Sequence, residues 1–223
     1  MRTQTQPNAT PDVEFEEKPR LRGVIHAAMT LLVIAGGVAL ILMSHSWGVR
    51  LGCVVYMICA LELFGFSAVF HLGRWRPSPR RVLRQIDHSN IFVFIAGTYT
   101  PLAIALISGW SRVLLLSLVW ACAAVGVSLA AFQLKAPRWL TAGLYVAMGW
   151  IALGWLPAMW HVSPLIVILL IVGGVVYTLG AVVYAKKWPN PAPDWFGFHE
   201  IFHSMTVVAA VCHWVAIAMA VTR

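Results

Sequence analysis

The chain has 223 residues, of which 60% are apolar and 11% charged, and its formal net charge is +8. Soluble domains average about 25% charged residues, and a soluble fold of this size could not cover so apolar a chain with polar surface. Composition therefore excludes an ordinary soluble domain and points to a bilayer as the solvent.

Residues 1–18 mix Thr, Gln, Pro and Glu with few large apolar groups and read as disordered. Residues 1–20 are thus expected to form a cytoplasmic tail ahead of one membrane domain over residues 21–223. A spanning helix needs about 20 mostly apolar residues. Seven such blocks follow: Val24–Met43, Leu51–Leu72, His88–Ile107, Val113–Phe132, Leu140–Trp160, Leu165–Ala185 and His199–Val221. The first follows a polar tail and lacks a small-residue cleavage pattern, so it reads as a span and not as a cleavable signal peptide. Period-2 alternation is missing, which disfavours a β-barrel. The predicted fold is all-α, a bundle of seven transmembrane helices.

Within these spans, Gly36-Gly37, Gly173-Gly174 and Gly180 are expected to let helices approach closely. Pro101, after Gly97-Thr98-Tyr99-Thr100, is expected to kink the third span near mid-membrane. Tyr99 and Thr100 are assigned to helix packing, with lining of a substrate cavity as the alternative. Cys53, Cys59, Cys122 and Cys212 lie inside spans without a CxxC partner and read as buried small hydrophobes.

Charge orients the bundle. With the N-terminus in the cytoplasm, 13 of the 16 basic residues fall in the tail and the second, fourth and sixth loops. Only Arg50, Arg112 and Arg223 fall outside. The positive-inside rule thus gives a cytoplasmic N-terminus and an outside C-terminus. This placement suits anionic lipid head groups as partners and disfavours nucleic acid. Trp47, Trp75, Trp110, Trp139, Trp160, Trp188 and Trp195 sit near predicted interfaces, where indoles anchor helices.

Ionisable groups inside spans are expensive and usually functional. Chain direction brings several to the cytoplasmic leaflet: Ser67 and His71 from the second span, Asp87 and His88 from the third, His199 and His203 from the seventh. His199 and His203 are i and i+4 and share a helical face, as do Ser67 and His71. Three imidazoles and a water make a four-coordinate zinc site with an open position. Asp87 could hydrogen-bond that water and take its proton, which zinc makes available near pH 7.

Residues 199–203 also match the H-E-x-x-H metalloprotease pattern, with Glu200 as base, but the longer metzincin form fails at Thr206 and Ala209. Glu200 is instead expected at the rim, facing head groups. Glu62, mid-span, is expected either to line an aqueous cavity or to bond a neighbouring helix in protonated form. His213 lies about 15 Å beyond His203 at 1.5 Å per residue and is read as an interhelical hydrogen-bonder. His26, in the same leaflet as the cluster, is a reserve candidate behind the ligands. His45, His161 and Asp194 are read as loop residues.

Several motifs carry a resemblance. Ser67-Ala-Val-Phe-His71, Ile86-Asp87-His88-Ser89, Ala96-Gly97-Thr98-Tyr99-Thr100-Pro101, Tyr145-Val-Ala-Met-Gly-Trp150, Gly173-Gly-Val-Val-Tyr177-Thr-Leu-Gly180 and His199-Glu-Ile-Phe-His203 together resemble the haemolysin III family of bacterial membrane proteins. That family stands with the progestin and adipoQ receptors, which include the adiponectin receptors, and is grouped with alkaline ceramidases. The resemblance covers about residues 20–220. It implies zinc held by His71, His199 and His203, completed by Ser67 and Asp87, with the aspartate on the zinc-bound water and a lipid amidase activity. Glu62 departs from the expected uncharged residue. The expected function is a zinc-dependent hydrolase of a lipid-like amide or ester in the plasma membrane. Rival expectations are a non-enzymatic sensor or homeostasis protein with structural zinc, and a membrane-permeabilising, haemolytic protein. A proton relay or transporter through Glu62, His213 and the zinc cluster is a further alternative.

Overall fold

The structure is a computed structural model and describes residues 19–131 and 137–223; of the expected tail, residues 1–20, all but the last two lie outside the described residues. The described chain is helical throughout, without a β-strand. In hydrocarbon every backbone N–H and C=O must be satisfied inside the protein, and a helix does this within one segment. The helices are α1 (Val24–Met43), α2 (Trp47–Leu72), α3 (Pro77–Leu106), α4 (Gly109–Ala131), α5 (Arg138–Gly149), α6 (Leu156–Val162), α7 (Pro164–Lys186) and α8 (Phe198–Val221). Six of them are long and apolar enough to cross a membrane singly, and the bent pair of α5 and α6 makes the seventh span.

Consecutive helices pack on one another, and α1 meets α8 to close the bundle. α3 runs through the middle, touching α2, α4, α5 and α8. Its most apolar stretch is 67% buried, against 22% for the peripheral α4. One buried cluster, including Leu40, Phe64, Phe94 and Ile217, fills the space between α1, α2, α3, α7 and α8. A second, including Leu115, Val119, Tyr145 and Met159, sits on the other side of α3. Trp47, Trp110, Trp139, Trp160, Trp188 and Trp195 are exposed at or beyond helix ends, consistent with interfacial anchoring.

Polar side chains stitch the helices together. Asn90 of α3 donates to the Glu62 carbonyl of α2 at 2.9 Å. Trp120 of α4 donates to Thr100 of α3 at 3.2 Å. Trp214 of α8 donates to the Gly36 carbonyl of α1 at 3.2 Å. Gly36 is required there: a Cβ would stand 2.9 Å from the Trp214 indole nitrogen. His213 donates to the Leu170 carbonyl at 3.2 Å, the interhelical role expected of it.

Pro101 lies inside α3, five residues before its last residue. One feature differs from the sequence expectation. The fifth span is broken: α5 passes into a 3₁₀ turn over Trp150–Gly154, and α6 leaves at 56° to it. Gly149 and Gly154 are poor helix formers, and Pro157 cannot donate a helical hydrogen bond. Tyr99 repairs the break. Its hydroxyl donates to the Gly149 carbonyl at 2.7 Å and accepts from the Ala152 N–H at 2.9 Å. Tyr99 therefore has the packing role assigned to it, by completing a neighbour's backbone.

Replacing Tyr99 by Phe leaves those two backbone groups without a partner in an apolar interior. Thermal or denaturant unfolding in detergent should show a loss of about 1–3 kcal/mol, with α5 the first segment to exchange amide protons.

Candidate metal centre

The start of α8 is held by charge. Gly197 stands at its N-cap, and the Glu200 carboxylate accepts the Gly197 N–H at 2.8 Å. A carboxylate is also favourable at a helix N-terminus. The other oxygen of Glu200 is ion-paired with Arg22, and Glu200 is only 1% exposed. The expectation of a head-group-facing rim residue is thereby overturned. The segment before α1 crosses the α7–α8 loop and covers Glu200: Arg20 N–H donates to the Asp194 carbonyl at 3.0 Å, and the Arg20 guanidinium lies 4.3 Å from the centre of the Trp195 ring. Both Glu200 oxygens serve structure, which also removes the general-base role of the protease pattern.

This fixed first turn presents His199 and His203 one turn apart, their ring centres 4.4 Å from each other. His71 arrives from the last turn of α2, with ring centres 4.8 Å from His199 and 5.1 Å from His203. Gly23 lets the start of α1 pack directly on it. Its φ of 86° favours glycine, and a Cβ would stand 2.9 Å from the His71 Cβ. One nitrogen from each of the three imidazoles lies within 4.8 Å of the others, and the Nε2 atoms of His71 and His199 are 3.3 Å apart. Zinc with ligands at 2.0–2.1 Å in a tetrahedron places neighbouring nitrogens about 3.3 Å apart. The His71–His199 pair has that spacing, and three imidazoles are a donor set that suits such an ion. His71 and His203 are buried and His199 half-buried, so the cluster is open on one side.

Asp87, about three turns into α3, completes the group. Its Oδ2 is 3.6 Å from His71 Nε2, and the Ser67 hydroxyl is a further hydrogen-bonding neighbour. His88 faces elsewhere. Its Nδ1–H donates to the Arg84 carbonyl at 2.8 Å, so its Nε2 accepts from the Tyr184 hydroxyl at 2.9 Å. Tyr145 of α5 donates to the His88 carbonyl at 2.9 Å. These contacts hold the turn of α3 that carries Asp87.

A cavity of about 90 Å³ leads from this cluster into the bundle. Ser67, Asp87, His203 and His26 line it together with Leu63, Phe94, Trp150 and Tyr177. His26 stacks face to face on His203, ring centres 3.8 Å apart and planes within 5°. The reserve residue is thus in direct contact with the cluster. Glu62 is exposed on α2 and does not line this cavity.

Sequence reasoning missed Arg22, counted only as a basic tail residue, and the tyrosines that hold His88. The partner of Arg22 is 178 residues away, and local patterns carry nothing of it.

The chain has recognisable relatives. A family model described as haemolysin-III related matches residues 16–214. The hemolysin-3 homolog of Bacillus subtilis (strain 168) is 31% identical over 180 residues, covering 78% of this chain and 84% of the relative. Hemolysin-3 of Bacillus cereus is 27% identical over 192 residues, covering 83% and 86%. The adiponectin receptor protein of Drosophila melanogaster is 28% identical over 182 residues, covering 71% of this chain and 40% of the receptor.

Removing one partner of the Arg22–Glu200 pair strands the other in a site where Glu200 is fully enclosed. Glu200→Ala should destabilise the protein by about 3 kcal/mol. The Arg22→Ala, Glu200→Ala double variant should lose clearly less than the sum of the single variants, as a double-mutant cycle by denaturant unfolding will show.

Proposed function

The chain belongs to the haemolysin-III-related family, and on that premise we propose that it is a zinc-dependent membrane hydrolase of a lipid amide or ester, with His71, His199 and His203 as the ligands. The observation that supports this best is the 3.3 Å spacing of the His71 and His199 nitrogens, with the His203 donor close by. When bound there, zinc would supply a Lewis acid and lower the pKa of a water to about 7.

The protein's own residues do the rest. Asp87, beside His71, accepts a proton from the attacking water and returns it to the leaving group. The Ser67 hydroxyl steadies the Asp87 carboxylate or the developing oxyanion. The apolar cavity accommodates part of an acyl chain, and its opening onto Ser67, Asp87 and His203 brings the carbonyl to these groups. Half-exposed His199 marks the side from which water enters.

In this reading residues 21–223 act as one membrane domain of the plasma membrane, N-terminus in the cytoplasm and C-terminus outside. The basic loops then meet anionic head groups at the end of the bundle that carries the cluster. A second reading is a sensor with a structural zinc ion. It is favoured by the name of the Drosophila relative, a receptor, and by the way an ion here would join α2 to α8.

Metal analysis and lipid turnover separate the two. Purified protein should hold about one zinc per chain, and His203→Ala should lose both metal and turnover. Asp87→Asn should keep the metal and lower turnover by about a hundredfold or more. Turnover that persists in a metal-free variant would sink the hydrolase reading. Stoichiometric zinc with no hydrolysis of any membrane lipid would favour the sensor. Because imidazole binds metal only when neutral, zinc should be retained at pH 7 and released in acid, as metal analysis across a pH series will show.

A further inference from the structure

His26 has no place in the three-ligand centre, yet it is 2% exposed and neither of its ring nitrogens has a hydrogen-bond partner among the described residues. A neutral imidazole carries one donor and one acceptor. Leaving both unpaired in a buried position is destabilising, and for packing alone a phenylalanine would serve better. The surroundings confirm that packing is already met by the ring faces. One face lies flat on His203, and Phe64 stands edge-on at 5.0 Å. The ring also borders the cavity, at the point where Ser67, Asp87 and His203 line it. The cavity is otherwise mostly apolar, and at about 90 Å³ it has room for a small group or part of a chain.

We propose that His26 is a further substrate-contacting residue, whose neutral imidazole hydrogen-bonds the polar head of a lipid held in this cavity. This rests on the reading of the cavity as the substrate site. One ring nitrogen donates to a carbonyl or hydroxyl oxygen of the ligand. The other accepts from a ligand hydroxyl or amide, directly or through a water. The stack on His203 sets the plane in which those bonds are made, so the ligand's head group is held beside the metal-ligating face of α8.

The test is equilibrium binding of oleamide to the full chain in lipid nanodiscs, with 1-octadecene as a chain of similar length and no polar head. Zinc content and thermal stability are measured alongside. His26→Phe keeps both ring contacts and removes both nitrogens. It should weaken oleamide binding by about tenfold or more, the scale of one lost hydrogen bond. Octadecene binding, zinc content and stability should stay near those of the parent. His26→Gln restores a donor and an acceptor and should recover most of the oleamide affinity.

In the unsubstituted protein the His26 ring-nitrogen NMR signals should shift on oleamide addition, which tests the contact even if a variant fails to fold. Unchanged oleamide binding in His26→Phe overturns the proposal, as do equal losses for both probes, loss of zinc with the probe, or no oleamide binding by the parent. Absence of zinc with the oleamide pattern intact would reject the metal centre and leave the His26 contact standing.

Discussion

A hydrocarbon interior offers no water to a stranded N–H or C=O, and the rest of this structure follows from that constraint. It makes every span a helix, and it makes each departure from the helix visible as a compensating side chain. Where α5 gives way at Gly149, the Tyr99 hydroxyl takes over the freed backbone groups. Where α2 and α3 approach, Asn90 reaches the Glu62 carbonyl. Where α8 meets α1, the Trp214 indole finds the Gly36 carbonyl. Against this background the two nitrogens of His26, unpaired among the described residues, stand out, because the surrounding helices leave few such groups unpaired.

The histidine cluster depends on a second electrostatic arrangement. Glu200 caps α8 and binds Arg22 at once, so the segment before α1 is fastened over the first turn of α8. Gly23 then lays the start of α1 against His71. The same few residues therefore fix the direction of His199 and His203 and close the approach to His71. A motif that reads as a protease signature is used here as a helix cap and a latch.

Much of the architecture was legible in the sequence. The seven apolar blocks, the glycine seats and the interhelical bond of His213 follow from periodicity, residue size and the cost of burying a polar group. Ser67, His71, Asp87, His199 and His203 were also legible as a group, because counting spans puts their helix ends in one leaflet. The broken fifth span was less so. Its glycines and Pro157 were visible, but an unbroken apolar run hides a bend whose backbone is repaired from another helix. Glu200 was misplaced because its burial depends on Arg22, at the far end of the chain.

The sequence by itself determined that the chain is a membrane bundle and which residues share a leaflet, since hydrophobic length and charge bias act locally and add along the chain. Only the tertiary structure decided that three imidazoles converge within 4.8 Å of one another, that Glu200 is buried, that Glu62 faces outward and that His26 lies flat on His203. Those are distances and rotations between helices. They are set by side-chain packing and by ion pairs between residues remote in the chain, and no one-dimensional pattern records them.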